Sequence, residues 1–215
     1  MAKSKRAAGR PRHARGTAAA SRQEMVEAAM EILRRNGLEG LTTTAVTRQA
    51  GFTQSAFYVH FASLDECLAE VARQTAARIR AFVDEDRRRA HQEPVGWETL
   101  AAHFRAMLEL FRQERTFSEL FLRHRRDGST LGKVMRRLHR ELCDDLTVHW
   151  QTAMQAGGVE APADRLSLHA ELILAQVYAG GEAVLDRRCT PERVAEELTR
   201  FVMAAAQAVM EATSD

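Results

Sequence analysis

Apolar residues recur at three- and four-residue intervals along most of this 215-residue chain, and little in it can interrupt them. The whole length holds four prolines and twelve glycines. Proline removes a helical hydrogen bond and glycine loses more conformational freedom than any other residue, so each marks a point where a helix ends or bends. Segments in which β-branched or aromatic residues alternate with polar ones, the mark of a half-buried strand, are scarce. The pattern predicts an all-α chain of about nine helices without internal repeats.

Met25, Ala28, Ala29, Ile32 and Leu33 share one helical face, with Ser21 as the expected cap and Gly37 as the stop. A short helix is expected from Thr43 to Ala50, capped by Thr42 and ended by Gly51. Thr53 can cap another through about Tyr58 or Val59. Ser63 and Glu66 form a capping box that opens a long helix toward Arg89. Beyond Glu93-Pro94 a helix carries Leu100, Phe104, Met107, Leu108 and Phe111. A shorter one spans about Thr116 to Arg126, before Asp127-Gly128. Val134, Leu138, Leu142, Leu146 and Trp150 mark the next, which ends at Gly157-Gly158. Pro162 begins another, with Leu166, Ala170, Ile173, Leu174, Val177, Tyr178 and Gly181 on one side. Thr190-Pro191, a cap followed by proline at the first helical position, opens the last.

Several function classes drop out. The most apolar stretch, Ala170 to Leu185, is broken by Glu171, Gln176 and Glu182, so no membrane span is expected. The first residues carry charge without an apolar core, unlike a secretory signal. Three separated cysteines (Cys67, Cys143, Cys189) and no CxxC pair predict a reducing, cytoplasmic setting without disulfides. No nucleotide-binding glycine loop or hydrolase elbow occurs. The histidines lack the spacings of a metal set. Neither a catalytic residue, a metal nor a cofactor is expected.

Charge is distributed unevenly. Lys3, Lys5, Arg6, Arg10, Arg12, Arg15 and Arg22 stand before the first acidic residue, which leaves the rest of the chain at −5 although the whole carries +2. A basic arm on an acidic body suits a polyanion, or serves as a solubilising tail.

Residues 42–61 read TTTAVTRQAGFTQSAFYVHF, two short helices joined by a glycine-containing turn, which is a helix-turn-helix pattern. Val46 and Ala50 are expected in the core, Gly51 at positive φ, and Phe57 buried behind a polar helix start at Thr53-Gln54-Ser55. Such a start can reach base edges in a major groove. The stretch from Glu24 to Val71 resembles the N-terminal domain of TetR-type (tetracycline-repressor-like) transcriptional regulators: AAMEILRRNGLEGLT, then TAVTRQAGFTQSAFYVHF with its Tyr58-x-His60-Phe61 close, then ASLDECLAEV.

The resemblance implies that Gln54, Ser55 and Phe57 lie at the groove and Tyr58 and His60 near phosphates, with Thr42, Thr43 and Thr44 at the DNA backbone. Gln54, Ser55 and Ala56 depart from the lysine, glycine and threonine frequent in the family, and Leu64 from its lysine, so the operator does not carry over. Residues 23–61 hold three basic and four acidic residues, so affinity should lean on the arm. There Gly9-Arg10-Pro11-Arg12 resembles a minor-groove AT-hook, with Arg10 and Arg12 as the contacts.

The resemblance further implies an arm at 1–20, a three-helix DNA-binding domain at 21–68, and an effector-binding and dimerisation domain at 69–215. Phe104, Met107, Leu108, Phe111, Phe121, Trp150, Met154 and Tyr178 are the expected lining of a pocket for a small, mostly hydrophobic effector. They also read as plain core. His103, His124, His149 and His169 are further polar candidates, each equally readable as an ordinary solvated or satisfied side chain. Gly180, Gly181, Phe201, Ala205 and Val209 are expected in a homodimer interface built by the last two helices, with Gly180-Gly181 permitting close approach. The chain is then a regulator, expected to be a repressor, that binds a palindromic double-stranded operator, and the Ser63–Arg89 helix links effector to DNA. The alternative is a small-molecule binding protein that the arm tethers nonspecifically to DNA.

Overall fold

The computed structural model describes residues 17–90, 96–156, 158 and 162–211. Among them are nine α-helices and no strand: α1 (Ala18–Asn36), α2 (Thr43–Ala50), α3 (Gln54–His60), α4 (Leu64–Ala90), α5 (Trp97–Gln113), α6 (Arg115–His124), α7 (Thr130–Ala156), α8 (Ala163–Leu185) and α9 (Pro191–Glu211). A single 3-10 turn, Leu38–Gly40, follows α1 and was not expected. The chain divides into two compact units, the first ending at Val71 and the second beginning at Ala72.

Local chemistry sets most helix ends. The Thr42, Thr53 and Ser63 hydroxyls accept from the backbone N–H groups of Ala45, Ala56 and Glu66 at 3.0, 3.3 and 3.1 Å. The Glu66 carboxylate reaches back to the Ala62 N–H at 2.7 Å. Gly37 and Gly51 close α1 and α2 at φ +67° and +76°, where a side chain would be strained. The expected Ser21 cap is corrected: Thr17 caps α1 instead, its hydroxyl accepting from Ala20 at 3.3 Å. Three alanines after Thr17 are the strongest helix formers available and carry the helix one turn further back. α6 begins at Arg115 rather than Thr116, and ends at His124 rather than Arg126.

In the first unit, Met25, Val26, Ala29 and Leu33 of α1 pack with Val46 of α2, Phe57 of α3 and Phe61. The Phe57 and Phe61 ring centroids lie 5.4 Å apart. Arg22 fastens this corner: its guanidinium sits 4.6 Å above the Phe61 ring and bonds the Glu70 carboxylate at 3.1 Å. Val46 is buried as expected, but Ala50 is only half-buried. Thr47 takes the second inward position of α2 and satisfies its hydroxyl on the Thr43 carbonyl at 2.9 Å.

In the second unit, α5 packs on α8 and α9, α7 on α8, and α6 on α7. The core they share contains Phe104, Leu108, Trp150, Met154, Leu166, Ile173, Val177 and Leu198. Arg115 at the start of α6 donates to the Leu185 carbonyl at the end of α8, at 2.8 Å. No helix of the described residues is long and apolar enough to cross a membrane.

Candidate nucleic-acid interface and effector region

α3 has seven residues and buries one side, Phe57, completely. At 100° per residue, Ser55 and Val59 lie opposite Phe57 and Tyr58 to one side, and with Gln54 at the helix start all four are exposed. Tyr58 is 59% and Val59 78% exposed. The expected groove contact by Phe57 is corrected: its ring is core, in contact with Phe61, and cannot leave without opening the unit. His60 is half-buried. Val59 was missed, although its position one turn beyond Ser55 places it on the same outward face.

The polar groups on this face are held. Gln54 Nε2 donates to Thr44 Oγ1 at 2.6 Å, which links the start of α3 to the first turn of α2. Thr53 Oγ1 and Ser55 Oγ share a hydrogen bond of 3.0 Å. Thr42 and Thr44 are exposed and Thr43 half-buried, beside the free backbone N–H groups at the N-terminus of α2. Such a terminus favours an anion. Arg10 and Arg12 lie outside the described residues.

Of the expected effector residues, Phe104, Leu108, Trp150 and Met154 are buried in the shared core, against which Met107 and Phe111 pack. Phe121 and Tyr178 are also buried, their rings 5.1 Å apart in an edge contact. An open groove of about 490 Å³ beside α5 and α9 is lined instead by Trp97, Glu98, Ala101, Ala102, Arg105, Glu192 and Glu196, among others, and by none of those eight residues.

Tyr178 belongs to a polar cluster that sequence reasoning did not assemble. Its hydroxyl is 2.9 Å from His139 Nδ1, while His139 Nε2 is 3.1 Å from a Glu171 carboxylate oxygen. Cys143 Sγ lies 3.7 Å from the same Nε2. Burial pushes the Cys143 thiol up to about 12, with Glu171 adding to the shift, and burial raises the Tyr178 phenol as well. His139, Cys143 and Glu171 place a donor atom each within 4.8 Å of one another, a grouping that the histidine spacings did not announce. The i,i+4 pair His139–Cys143 was the available signal; Glu171 on the next helix had none.

Gly180 and Gly181 face neighbours in their own chain. A Cβ on Gly180 would stand 2.5 Å from Val194 of α9, and one on Gly181 2.5 Å from the Phe111 ring of α5. Their close approach is thus to helices of their own chain. An apolar surface does remain open on both helices: Leu168 and Leu172 on α8 and Phe201 and Met203 on α9 are exposed. Ala205 is half-buried, and the Val209 side chain lies outside the described residues.

Comparison with known proteins places these features. Residues 25–71 match the family model described as bacterial regulatory proteins, tetR family. No curated protein sequence matches the chain. Among solved structures, a TetR-family transcriptional regulator from Mesorhizobium loti is similar with a TM-score of 0.72 at 15% identity, over 89% of this chain and 98% of that one. A transcriptional regulator from Pseudomonas aeruginosa reaches 0.71 at 18%, over 88% and 92%. FadR of Bacillus subtilis, solved in complex with stearoyl-CoA, reaches 0.65 at 14%, over 83% and 95%. At such identities the likeness is one of fold.

Proposed function

We propose that this chain, with a tetR-family DNA-binding module at residues 25–71 and the fold of that family's regulators over its length, is a ligand-responsive transcriptional repressor that binds a palindromic operator as a homodimer. The observation that carries the reading is the outward face of α3. Gln54, Ser55, Tyr58 and Val59 stand in solvent over a core locked by Phe57 and Phe61. Gln54 has the amide geometry that reads an adenine edge, and the Val59 methyls suit a thymine methyl. Tyr58 and the threonines at the start of α2 supply phosphate contacts that fix register. Arg10 and Arg12 supply charge that the module itself lacks, by entering a narrow minor groove.

The exposed Leu168, Leu172 and Phe201 support a homodimer through α8 and α9. Two copies of α3 then read two half-sites related by the dimer's own symmetry. A small, mostly hydrophobic effector in the second unit favours the arrangement that misplaces α3; an acyl chain, as in the FadR complex, is one such molecule. Differential affinity of this kind changes DNA binding by about 1–3 kcal/mol. α4 holds the boundary between the two units within its length, which makes it the coupling element.

The test is selection of bound DNA from a random pool by the full-length protein at near-physiological salt. Enrichment of a palindrome supports the proposal. Enrichment of A·T-rich DNA without symmetry would leave only the arm reading DNA, and a tethered ligand-binding protein would replace it.

A further inference from the structure

One turn apart on α7, His139 and Cys143 project from the same helical face. α8 brings Glu171 against them. Two of the three donor separations are those a bound ion would impose, and all three atoms lie within 4.8 Å of one another. Zinc bonds nitrogen and oxygen at about 2.0–2.1 Å and thiolate at about 2.3 Å, so tetrahedral angles put nitrogen about 3.3 Å from oxygen and about 3.6 Å from sulfur. Here His139 Nε2 lies 3.1 Å from the Glu171 oxygen and 3.7 Å from Cys143 Sγ. Cys143 Sγ also lies 4.0 Å from His139 Nδ1, beside the ring, so the imidazole turns to aim Nε2 at an ion shared with the sulfur.

The surroundings also suit a metal. Tyr178 OH lies 2.9 Å from His139 Nδ1. With the proton on Nδ1, that nitrogen donates to the phenol oxygen and Nε2 keeps a lone pair for an ion, the arrangement that orients a ligating imidazole. The phenol is buried, and Phe121 packs its edge against the same ring. Cys143 is buried, whereas the Glu171 side chain is 51% exposed, so an ion can enter from solvent on the α8 side.

We propose that His139 Nε2, Cys143 Sγ and Glu171 form a binding site for a divalent transition-metal ion, best matched by zinc, with a fourth position open to water or a small ligand. One thiolate, one imidazole and one carboxylate form a mixed donor set that zinc accepts and that calcium or magnesium does not. On binding, the Cys143 thiol gives its proton to solvent and Sγ bonds the ion. The ion offsets what opposes that step in the free protein: burial of the thiol and the negative charges of Glu171 and Asp144. The site uses α7 and α8 alone and stands independently of the DNA-binding reading.

The experiment titrates metal-free full-length protein with Co(II), then with Zn(II). One Co(II) per chain is expected, with an intense near-ultraviolet thiolate-to-cobalt band that Zn(II) bleaches. Cys143→Ser should abolish the band although Cys67 and Cys189 remain. Glu171→Gln, at a half-exposed position outside the core, should weaken Zn(II) binding at least tenfold with the fold intact. Tyr178→Phe, which keeps the ring and removes the partner of Nδ1, should weaken it about 10–100-fold. A Co(II) complex without a thiolate band, a band that survives Cys143→Ser, or unchanged Zn(II) affinity in Glu171→Gln would overturn the proposal.

Discussion

Gly181→Ala is expected to destabilise the second unit, although alanine is the better helix former by up to about 1 kcal/mol. The reason is one aromatic ring. A Cβ at this position would stand 2.5, 2.6 and 3.0 Å from Cδ1, Cε1 and Cγ of Phe111. Ring rotation about χ2 can move Cδ1 and Cε1 but leaves the 3.0 Å approach of Cγ, which lies on the rotation axis. Relief requires α5 or the whole Phe111 side chain to move, and overpacking of this kind costs about 1–3 kcal/mol. The net loss should be about 1–2 kcal/mol, or a fall in Tm of roughly 2–8 °C for a protein of this size. Gly180→Ala meets one short contact, Val194 Cγ1 at 2.5 Å, and should cost less. Urea unfolding at two protein concentrations is the assay. The reasoning requires an unchanged m-value and a change of sign when Phe111 is also replaced by alanine, because only the helix-propensity gain then remains. Gly181→Ala at or above wild-type stability, or an equal loss in the Phe111→Ala background, would refute it. A loss that varied with protein concentration would return Gly181 to an intersubunit role.

Gln54→Ala should relax base preference at one position in each half-site by about 1–3 kcal/mol, read from a panel of operator variants, while the salt slope is unchanged. Deleting residues 2–15 should do the reverse, with weaker binding and a flatter salt dependence but the same preferred sequence. Phe201→Glu should yield a monomer by sedimentation, because it places charge on an exposed apolar face of α9. Asp127, at the entry to α7, is held down to about 2 by its bond from Ser129 and then by His124, 2.6 Å away. Its contribution to stability is therefore present above the ordinary carboxylate range and disappears as pH falls through about 2; Ser129→Ala should raise the Asp127 pKa toward 3.8 in an NMR titration.

What the sequence made legible was local. Thr42, Thr53 and Ser63 cap, and Gly37 and Gly51 stop, because each acts on backbone within four residues of itself. Thr17 was overlooked because Ser21 is an equally good cap, and only the helix-forming run Ala18-Ala19-Ala20 separates the two. The identity of a packing partner was not local. Gly180-Gly181 announced a close approach, but nothing nearby in sequence says that Phe111, seventy residues earlier, is what approaches Gly181. The same limit hid the His139–Cys143–Glu171 cluster, since His139 and Glu171 lie thirty-two residues apart. Phe57 shows a different failure. Its burial followed from periodicity, and its place at the groove followed from the family; only one could hold, and the core took the ring.

That outcome bears on how the interface works. A seven-residue helix is too short to persist alone in water, so the face of α3 exists because Phe57 is buried beneath it. Recognition and folding of the first unit are then one equilibrium. Phe57→Ala, which should cost about 3–5 kcal/mol, would abolish DNA binding without removing a DNA contact. Gln54→Ala or Val59→Ala would leave the fold intact and change only the sequence read. The two classes separate in one experiment that follows helical signal and operator affinity together. The charges fit the same division. Residues 23–61 carry one more acid than base, so they contribute shape and hydrogen bonds rather than net attraction. The arm at residues 1–20, with six bases and no acid, would supply attraction on the proposed reading. On the proposed reading, a palindrome read by two copies of this face, each drawn in by a basic arm, would gain its specificity from the first and most of its salt dependence from the second.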